Sequence, residues 1–246
     1  MSVARIRFFS EALGKWTRYN LILPDVGEGP FSVLMQLHGL GDDCDTWLER
    51  SNLVRYVAEL PFVVLLPDGG TSAYLNWKAS DRLNQHRYED LLMHDIPTHL
   101  RRYANVADQP WAIGGLSMGG YGAVRLGIKY PDYFASIYAH SSAFRIDEAL
   151  EALDPALVDD VEDANVYRHA EALAKCDQRP VLAFDCGIDD RLIGHNRRFH
   201  QYLDGLGIEH HYAEFSGGHT WDYWDLHVQE ALAQHSRVLG LGVMVD

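Results

Sequence analysis

Short apolar runs that end at turn residues recur along the chain and predict buried strands. FSVLMQLH at 31–38 leads into a glycine-containing turn, and FVVLL at 62–66 leads into PDGG. Apolar runs of this length are typical of strands that are buried on both faces of a sheet. By the same criteria, we predict further strands at 5–9, 16–23, 111–115, 134–140, 181–186 and 210–215.

Segments with the character of helices separate most of the later strands. They predict helices at 88–103, 117–129, 196–206 and 220–239. Strands that alternate with helices are typical of a mostly parallel central sheet with helices on both faces. The sequence therefore predicts the α/β fold class.

One stretch, 145–175, breaks this alternation. It is rich in Ala, Leu, Asp and Glu, and Pro155 lies in its middle. We interpret it as a short helical insert between two strands. Inserts of this kind often form a cap over an active site, and an ordinary excursion of helices over the surface fits the residues equally well.

The composition is that of a globular protein, and the charge narrows the range of partners. Of the 246 residues, 47% are hydrophobic and 23% are charged, and we expect one domain over 1–246. The 35 acidic and 21 basic side chains give a formal net charge of −14. This charge repels phosphate groups, so we expect no nucleic-acid partner. A neutral small molecule is not repelled.

The sequence also bears on membranes and on the cell compartment. No stretch of 18 uncharged apolar residues occurs, so we expect no membrane partner. Arg5 and Arg7 interrupt the apolar core that an export signal would need. Cys44, Cys176 and Cys186 have no C-x-x-C spacing, which fits reduced thiols better than disulfides or a zinc site. We therefore expect a cytoplasmic protein.

The segment Gly115-Leu116-Ser117-Met118-Gly119 matches the G-x-S-x-G pattern of a serine nucleophile. An apolar strand precedes the pattern and a helix follows it. A tight turn between them exposes the serine hydroxyl at the amino end of the helix, where the helix dipole stabilises negative charge. We predict that Ser117 is a catalytic nucleophile. The alternative is a glycine-rich turn whose serine only caps the helix.

A serine hydroxyl needs a base that takes its proton and an acid that orients the base. His219 lies in SGGHTW, directly after the last predicted strand, and we predict that it is the base. The loop after strand 181–186 carries Asp189 and Asp190 side by side, and position alone does not decide between them. Asp185, inside the strand, is a weaker candidate.

Acyl transfer also needs two backbone N–H donors for the oxygen that gains charge. Met118, the residue after the nucleophile, supplies one donor in this arrangement. The second is expected from the loop after strand 31–38, where Leu40 in HGLG is the predicted donor. A plain glycine-rich turn is the alternative for this loop.

Two further groups of residues lie near these loops in the sequence. The acidic run from Asp42 to Asp45 lacks the glycine and distal glutamate of a calcium loop, so we predict a solvated loop and no metal site. Aromatic side chains near the loops are candidates for lining an acyl or alcohol pocket, although aromatic residues also fill cores. These candidates are Trp47, Tyr74, Trp77, Trp221 and Trp224.

Several segments together resemble the esterase D-like branch of the α/β-hydrolases, over nearly the whole chain. They are SEALGKWTRYNLILP at 10–24, LHGLGDDCDTWLER at 37–50, LLPDGG at 65–70, GLSMGGYGAVRLGIKYPDYFAS at 115–136, CGIDDRL at 186–192 and GGHTWDYW at 217–224. The resemblance implies an α/β-hydrolase fold with Ser117 as nucleophile, His219 as base, and the N–H groups of Leu40 and Met118 as oxyanion donors. In relatives the acid stands three residues after the loop glycine, which implies Asp190 here.

The resemblance also implies a class of activity. The branch includes tributyrin and acetyl-ester esterases, S-formylglutathione hydrolases, feruloyl esterases and mycolyltransferases. S-formylglutathione hydrolases typically carry an SGLTC-like segment where this chain has HGLGDD, and this departure favours the small carboxylesterases. We therefore predict a serine carboxylesterase that hydrolyses small or short-acyl esters through an acyl-enzyme, with no cofactor and no metal.

Other functions stay open at this point. The same residues would serve an acyltransferase or an S-formylglutathione hydrolase-like thioesterase, and a non-catalytic binding protein of the same fold is a minor alternative. The expected partner is a small-molecule ester. The apolar tail GLGVMV at 240–245 would pack either inside the protein or between copies of it in a homo-oligomer.

Overall fold

One mixed sheet of eight strands forms the centre of the computed structural model, which describes residues 1–78, 85–108, 110–145 and 159–241. Its strands are β1 (Ser2–Ser10), β2 (Lys15–Leu23), β3 (Ser32–Leu37), β4 (Phe62–Pro67), β5 (Trp111–Leu116), β6 (Phe134–His140), β7 (Val181–Gly187) and β8 (His211–Phe215). They lie side by side in the order β1-β2-β4-β3-β5-β6-β7-β8. β1 and β2 pair antiparallel with their neighbours, and the other strands pair in parallel. The predicted mostly parallel sheet is confirmed.

Helices connect the parallel strands. They are α1 (Thr46–Arg50), α2 (Leu53–Tyr56), α3 (Tyr88–Asp90), α4 (Ile96–Leu100), α5 (Met118–Lys129), α6 (Val166–Leu173), α7 (Ile193–Gly205) and α8 (Trp221–Val238). A π-helical turn, Leu91–Asp95, joins α3 to α4, and a 3-10 turn, Glu162–Ala164, precedes α6. The predicted helix at 88–103 is therefore interrupted. Pro97 follows the π-helical turn and has no N–H to donate to a carbonyl one turn earlier.

Side chains that alternate along the central strands build a core on each face of the sheet. All six residues of β3 are buried, and so are those of β4 and β5. Met35 of β3 belongs to the same buried cluster as Val124 of α5, whereas Leu34 belongs to a cluster with Val228 of α8. Successive residues of a strand point to opposite faces. The helices α5 and α8 therefore cover opposite faces, as the sequence predicted.

The register of the strands brings their carboxyl ends to one edge of the sheet. Leu37 at the end of β3 pairs with Gly115 of β5, and Gly115 pairs with Ala139 of β6. His140 at the end of β6 pairs with Asp185 of β7. The loops that follow these strands therefore meet at the same edge, where open α/β sheets place their sites.

The described end of the predicted insert is fastened to α5 by a buried ion-pair network. Arg125 of α5 is fully buried and forms ion pairs with Glu89 and Asp163. Its Nε donates to the backbone carbonyl of Asp163 at 2.8 Å, and the Tyr121 hydroxyl donates to the carbonyl of Ala164 at 2.6 Å. Paired carboxylates are required here because an unpaired buried guanidinium is strongly destabilising.

Parts of two predictions fall outside the described residues. Positions 146–158 of the insert are among them, so its role as a cap stays a prediction. Positions 242–246 of the apolar tail are also outside, and the packing of the tail stays a prediction as well.

A buried histidine on α8 makes the stability of the fold depend on pH. His235 is fully buried, and its Nδ1 lies 2.8 Å from Ser136 Oγ of β6. Burial lowers the pKa of His235 from 6.5 to about 3. The folded protein keeps this imidazole neutral, whereas the unfolded chain takes up a proton below about pH 6.5. The free energy of unfolding therefore decreases as the pH falls from 6.5 toward 3, by about 3 kcal/mol at pH 4 from this residue.

The variant His235→Asn tests this pH dependence, because its amide keeps a polar partner for Ser136 and does not titrate. In urea unfolding between pH 7 and pH 4, we compare the loss in the free energy of unfolding of the two proteins. We expect this loss to be about 3 kcal/mol smaller in the variant than in the wild type. Equal losses in the two proteins would contradict the prediction.

Candidate active site

Ser117 occupies the sharp turn between β5 and α5. Its backbone has φ 53° and ψ −114°, a positive φ that is strained for residues other than glycine. The glycines around it allow the turn: a Cβ on Gly115 would lie 2.6 Å from the Gly119 backbone, and a Cβ on Gly119 would lie 2.6 Å from the His38 carbonyl oxygen. The strand, turn and helix predicted from the G-x-S-x-G pattern form here, with the helix beginning one residue later, at Met118.

A continuous chain of hydrogen bonds runs from Ser117 through His219 to Asp190. Ser117 Oγ lies 3.0 Å from His219 Nε2, and His219 Nδ1 lies 2.8 Å from Asp190 Oδ2. Asp190 follows β7 and His219 follows β8. The structure thus brings the three side chains together at the carboxyl edge of the sheet, in the chain order Ser, Asp, His.

Asp190 is held as a buried carboxylate. It is 2% exposed, and its Oδ1 accepts the Leu192 N–H at 2.7 Å. Burial acts to raise the pKa of Asp190, but hydrogen bonds from His219, from the Leu192 N–H and from Ser141 outweigh burial and lower this pKa below its ordinary value. The carboxylate is therefore ionised at neutral pH and stabilises a protonated imidazole beside it.

The structure separates the three carboxylates that sequence reasoning compared. Asp189 is exposed, and its backbone N–H donates to the Gly217 carbonyl at 3.0 Å. Asp185 is buried within β7, where its carboxylate lies 2.8 Å from His140 Nδ1 and accepts the Tyr223 hydroxyl at 2.8 Å. Of these three, Asp190 is the one placed against His219.

The loop after β3 lies beside the serine, where the predicted oxyanion donors require it. A Cβ on Gly39 would lie 3.7 Å from Ser117 Cβ. Leu40 follows in this loop with its side chain 67% exposed. Met118 is the first residue of α5, and the N–H groups at the start of a helix have no acceptor within the helix. Met118 therefore adjoins Ser117 in the chain, and the loop that carries Leu40 passes beside Ser117 at Gly39.

His38 fixes this loop from its buried side. Its Nε2 accepts the Gly69 N–H at 2.9 Å, which leaves Nδ1 to donate to the Gly39 carbonyl at 2.8 Å. The Tyr74 hydroxyl donates to the His38 carbonyl at 2.8 Å. Burial lowers the pKa of His38, so the ring is neutral and able to accept a hydrogen bond. This side chain therefore has a structural role.

The aromatic residues proposed to line a pocket divide into two groups. Tyr74 and Trp47 are buried, and both bond to backbone carbonyls at the end of β3. They pack the core in this structure, which differs from the predicted lining role. Trp221 is half-buried and packs edge-to-face against Trp47 and Trp224. Trp77 is also half-buried, and its Nε1 donates to a backbone carbonyl at 2.8 Å.

Sequence reasoning named Trp224 among its aromatic candidates but missed Ser141, which contacts Trp224. Trp224 packs its ring edge-on against His219, with 4.9 Å between the centroids, and its Nε1 donates to Ser141 Oγ at 3.1 Å. Ser141 follows the last residue of β6. The signal that would have found it is a polar pair, Ser141-Ser142, at the carboxyl end of a central strand.

Two groups of described side chains have the chemistry of metal ligands. In the acidic loop after Leu40, Arg18 binds Asp43 at 2.5 Å and Asp45 at 3.1 Å. A second group consists of His200, Asp204 and His210. His210 directly precedes β8, at the edge of the sheet opposite Ser117. Its Nε2 lies 2.8 Å from His200 Nδ1.

Two further observations concern membrane-spanning helices and the cysteines. Every helix in the ranges that the structure covers is too short or too polar to cross a bilayer. The three cysteines are free thiols.

The chain is similar to known esterases over most of its length. The family model Esterase, described as "Putative esterase", matches residues 10–235. An acetyl esterase of Caldicellulosiruptor saccharolyticus is 29% identical over 97% of this chain and 99% of its own length. The matched region therefore spans the loops that carry Ser117, Asp190 and His219.

Solved structures agree with the fold. The fluorophosphonate-binding serine hydrolase F of Staphylococcus aureus superposes with a TM-score of 0.82 at 25% identity, over 94% of this chain and 97% of that one. An S-formylglutathione hydrolase of Agrobacterium tumefaciens gives a TM-score of 0.86 at 19% identity, over 98% and 95% of the two chains. At that lower identity the likeness concerns the fold alone. The chain therefore belongs to the Esterase family of α/β-hydrolases and is a serine hydrolase of the carboxylic ester class.

Proposed function

We propose that the protein hydrolyses short-acyl carboxylic esters, with Ser117 as nucleophile, His219 as general base and Asp190 as the acid that orients it. The observation that carries this proposal is the unbroken hydrogen-bond chain, with 3.0 Å from serine to histidine and 2.8 Å from histidine to aspartate. Both distances are within reach for proton transfer and for orientation of the base. The acetyl esterase relative supports a short acyl group.

In the first half of the reaction, the Ser117 oxygen attacks the ester carbonyl carbon while His219 Nε2 takes the serine proton. The resulting imidazolium is stabilised by the ionised Asp190, which receives its Nδ1–H. Collapse of the tetrahedral intermediate breaks the bond to the alcohol oxygen. His219 returns the proton to that oxygen, and the alcohol leaves an acyl group on the serine.

The second half of the reaction repeats these steps with water. His219 takes a proton from a water molecule that attacks the acyl carbonyl, and the bond to the Ser117 oxygen breaks. The proton passes back to the serine, and the carboxylic acid is released. All proton transfers use His219, so the reaction needs one base in a fixed position.

Negative charge on the carbonyl oxygen develops in both halves. Backbone N–H groups of Leu40 and Met118 are the proposed donors to this oxygen. The position of Met118 at the start of α5 adds the positive end of the helix dipole. The buried contacts of His38 hold the other donor loop in place before substrate arrives.

The residues of the site also support a single-domain organisation for all 246 residues. The proposed donors and the triad are spread from Leu40 to His219, and loops after β3, β5, β7 and β8 supply them. One site thus draws on most of the chain. We propose one α/β-hydrolase domain over 1–246 on this basis.

A panel of esters tests the proposed substrate class. We expect kcat/KM to be highest for p-nitrophenyl acetate or butyrate and at least about tenfold lower for the octanoate, because a small acyl pocket discriminates by roughly 1–3 kcal/mol per methylene. Methyl ferulate and S-formylglutathione are measured in the same series. Preference for the octanoate or methyl ferulate over acetate would overturn the short-acyl assignment, and preference for S-formylglutathione would overturn the assignment to oxygen esters. Each result would leave the triad untouched.

The same assay separates hydrolysis from acyl transfer. A small alcohol is added as acceptor, and the ratio of transferred to hydrolysed acyl product is measured. We expect hydrolysis to dominate at every acceptor concentration in the millimolar range. Transfer that takes over most of the product would instead support an acyltransferase.

A further inference from the structure

Two imidazoles and a carboxylate meet where α7 passes into β8, at the edge of the sheet opposite Ser117. His200 and Asp204 are four residues apart on α7, so they share one face of the helix. The chain then reverses at Gly207, whose φ is 66°, and returns to β8 through His210. One ligand atom of each of these three charged or imidazole side chains lies within 4.8 Å of those of the other two.

The two imidazoles direct nitrogen atoms at each other. His210 Nδ1 lies 2.8 Å from the Ile208 carbonyl oxygen. A carbonyl oxygen only accepts hydrogen bonds, so Nδ1 holds the proton and the neutral ring keeps a lone pair on Nε2. This Nε2 lies 2.8 Å from His200 Nδ1. The lone pair of one ring is therefore aimed at the nitrogen of the other, and a cation that prefers nitrogen ligands would bind between them.

The spacing of these nitrogens is close to the spacing that a small divalent cation requires. A tetrahedral Zn²⁺ with Zn–N bonds of about 2.0–2.1 Å places two nitrogens about 3.3 Å apart. The rings therefore need to separate by about half an ångström from their present 2.8 Å. The His200 side chain is 36% exposed, so its rotation alone can supply this movement.

Aromatic neighbours hold the planes of both rings. Phe184 of β7 stacks on His210 with 8° between the planes, and Tyr212 of β8 stacks on His200 with 30° between the planes. Fixed ring planes lower the entropy that ordering the ligands would cost on binding.

Each imidazole also has an acceptor for its second nitrogen. Metal-binding histidines usually donate their other N–H to a carboxylate or a backbone carbonyl, which fixes the tautomer. His210 has the Ile208 carbonyl in this place, and His200 Nε2 lies 3.5 Å from Asp204 Oδ2. When a cation occupies His200 Nδ1, the proton of that ring belongs on Nε2, toward the carboxylate.

We propose that His200 and His210, with Asp204 beside them, bind one late first-row divalent cation such as Zn²⁺. Imidazole nitrogens favour Zn²⁺, Ni²⁺ and Cu²⁺, whereas Mg²⁺ and Ca²⁺ prefer oxygen ligands. Asp204 is 60% exposed, so the site is open for the cation to enter and for water to complete its coordination. The bound cation fastens the end of α7 to the start of β8, and it takes no part in hydrolysis at Ser117.

Titration with ZnCl₂ by isothermal calorimetry tests the site, using full-length protein that has been treated with EDTA and then freed of it. We expect one Zn²⁺ per chain and no saturable binding of Mg²⁺. Zn²⁺ at about a hundred times its Kd is expected to raise the Tm by at least about 5 °C, because it binds the folded protein.

Variants locate the binding. His200→Gln and His210→Gln each remove one ligand nitrogen, and we expect each to weaken Zn²⁺ binding by at least about a hundredfold. Asp204→Asn keeps the shape of the side chain and removes its charge, and a loss of about tenfold is expected. His211→Gln is the matched control, since it makes the same change at the next residue, whose side chain is exposed.

The outcomes decide for or against the site. One Zn²⁺ per chain in the wild type and in His211→Gln, with weaker binding in the other three variants, supports it. Absence of saturable binding in the wild type, one Zn²⁺ for two chains, or wild-type affinity in both His200→Gln and His210→Gln would overturn it. Thermal unfolding in EDTA shows whether each variant is folded, and the exposed position of Asp204 keeps Asp204→Asn informative if a histidine variant unfolds.

Discussion

Replacing Ser117 with alanine is expected to lower kcat for p-nitrophenyl acetate by about 10⁶-fold, to the level that binding and the oxyanion donors alone support. The reason is that no other hydroxyl lies against His219 in the hydrogen-bond chain of the described site. Without it, His219 activates no covalent nucleophile, and the acyl-enzyme does not form. Stopped assays with high enzyme concentration are needed to measure so small a residual rate.

A matched serine variant keeps this test specific. Ser236 on α8 is buried like Ser117, and its hydroxyl has no hydrogen-bond partner among the described residues. We expect Ser236→Ala to retain the wild-type kcat. A fluorophosphonate probe should add its mass to the wild type and to Ser236→Ala but not to Ser117→Ala. Hydrolysis by Ser117→Ala at the wild-type rate would rule out the covalent mechanism.

Changing Asp190 to asparagine is expected to lower kcat by about 10⁴-fold with little change in KM. An asparagine amide that donates to His219 Nδ1 forces the ring proton onto Nε2. That nitrogen then faces the Ser117 hydroxyl as a donor and no longer takes its proton. The negative charge that stabilises the imidazolium is lost at the same time.

Asp189→Asn is the matched control, since it makes the same chemical change one residue away. Its side chain is exposed, and the backbone N–H that binds the Gly217 carbonyl is retained. We expect its kcat to stay within about twofold of the wild type. A severe loss in Asp189→Asn with full activity in Asp190→Asn would reverse the assignment of the acid. The kcat and KM of both variants with p-nitrophenyl acetate decide the question.

The central strands and α5 could be predicted because their sequences carry local signals. β3, β4 and β5 are short, mostly apolar and buried throughout, as strands covered on both faces are. The G-x-S-x-G turn combines a strand end, small residues and a helix start within five positions. His219 could be predicted for a similar reason, since two glycines precede it just after the last strand.

Contacts between distant segments could not be predicted in the same way. Asp189 and Asp190 are equivalent in sequence, and the side chain that reaches His219 depends on how the loops after β7 and β8 pack. That packing is close, because a Cβ on Gly187 would lie 2.2 Å from the Gly217 carbonyl oxygen. The resemblance to esterases selected Asp190 where the residues alone left the choice open.

The contacts of the aromatic residues and of Ser141 could not be predicted from the sequence either. Periodicity marks Tyr74 and Trp47 as apolar positions but does not say whether they face a core or an open pocket. The structure buries both and uses their polar atoms on the backbone at the end of β3. Ser141 is brought to the site by its contact with Trp224, 83 positions away along the chain.

The crowding around Gly119 has a consequence for directed evolution of the acyl preference. A methyl group there would collide with the His38 carbonyl, so saturation libraries gain nothing from this position or from Gly115. Leu40 offers the opposite case, because its side chain is 67% exposed while its proposed contribution comes from the backbone N–H. Every residue except proline preserves that donor, which makes position 40 a suitable place to introduce diversity beside the serine.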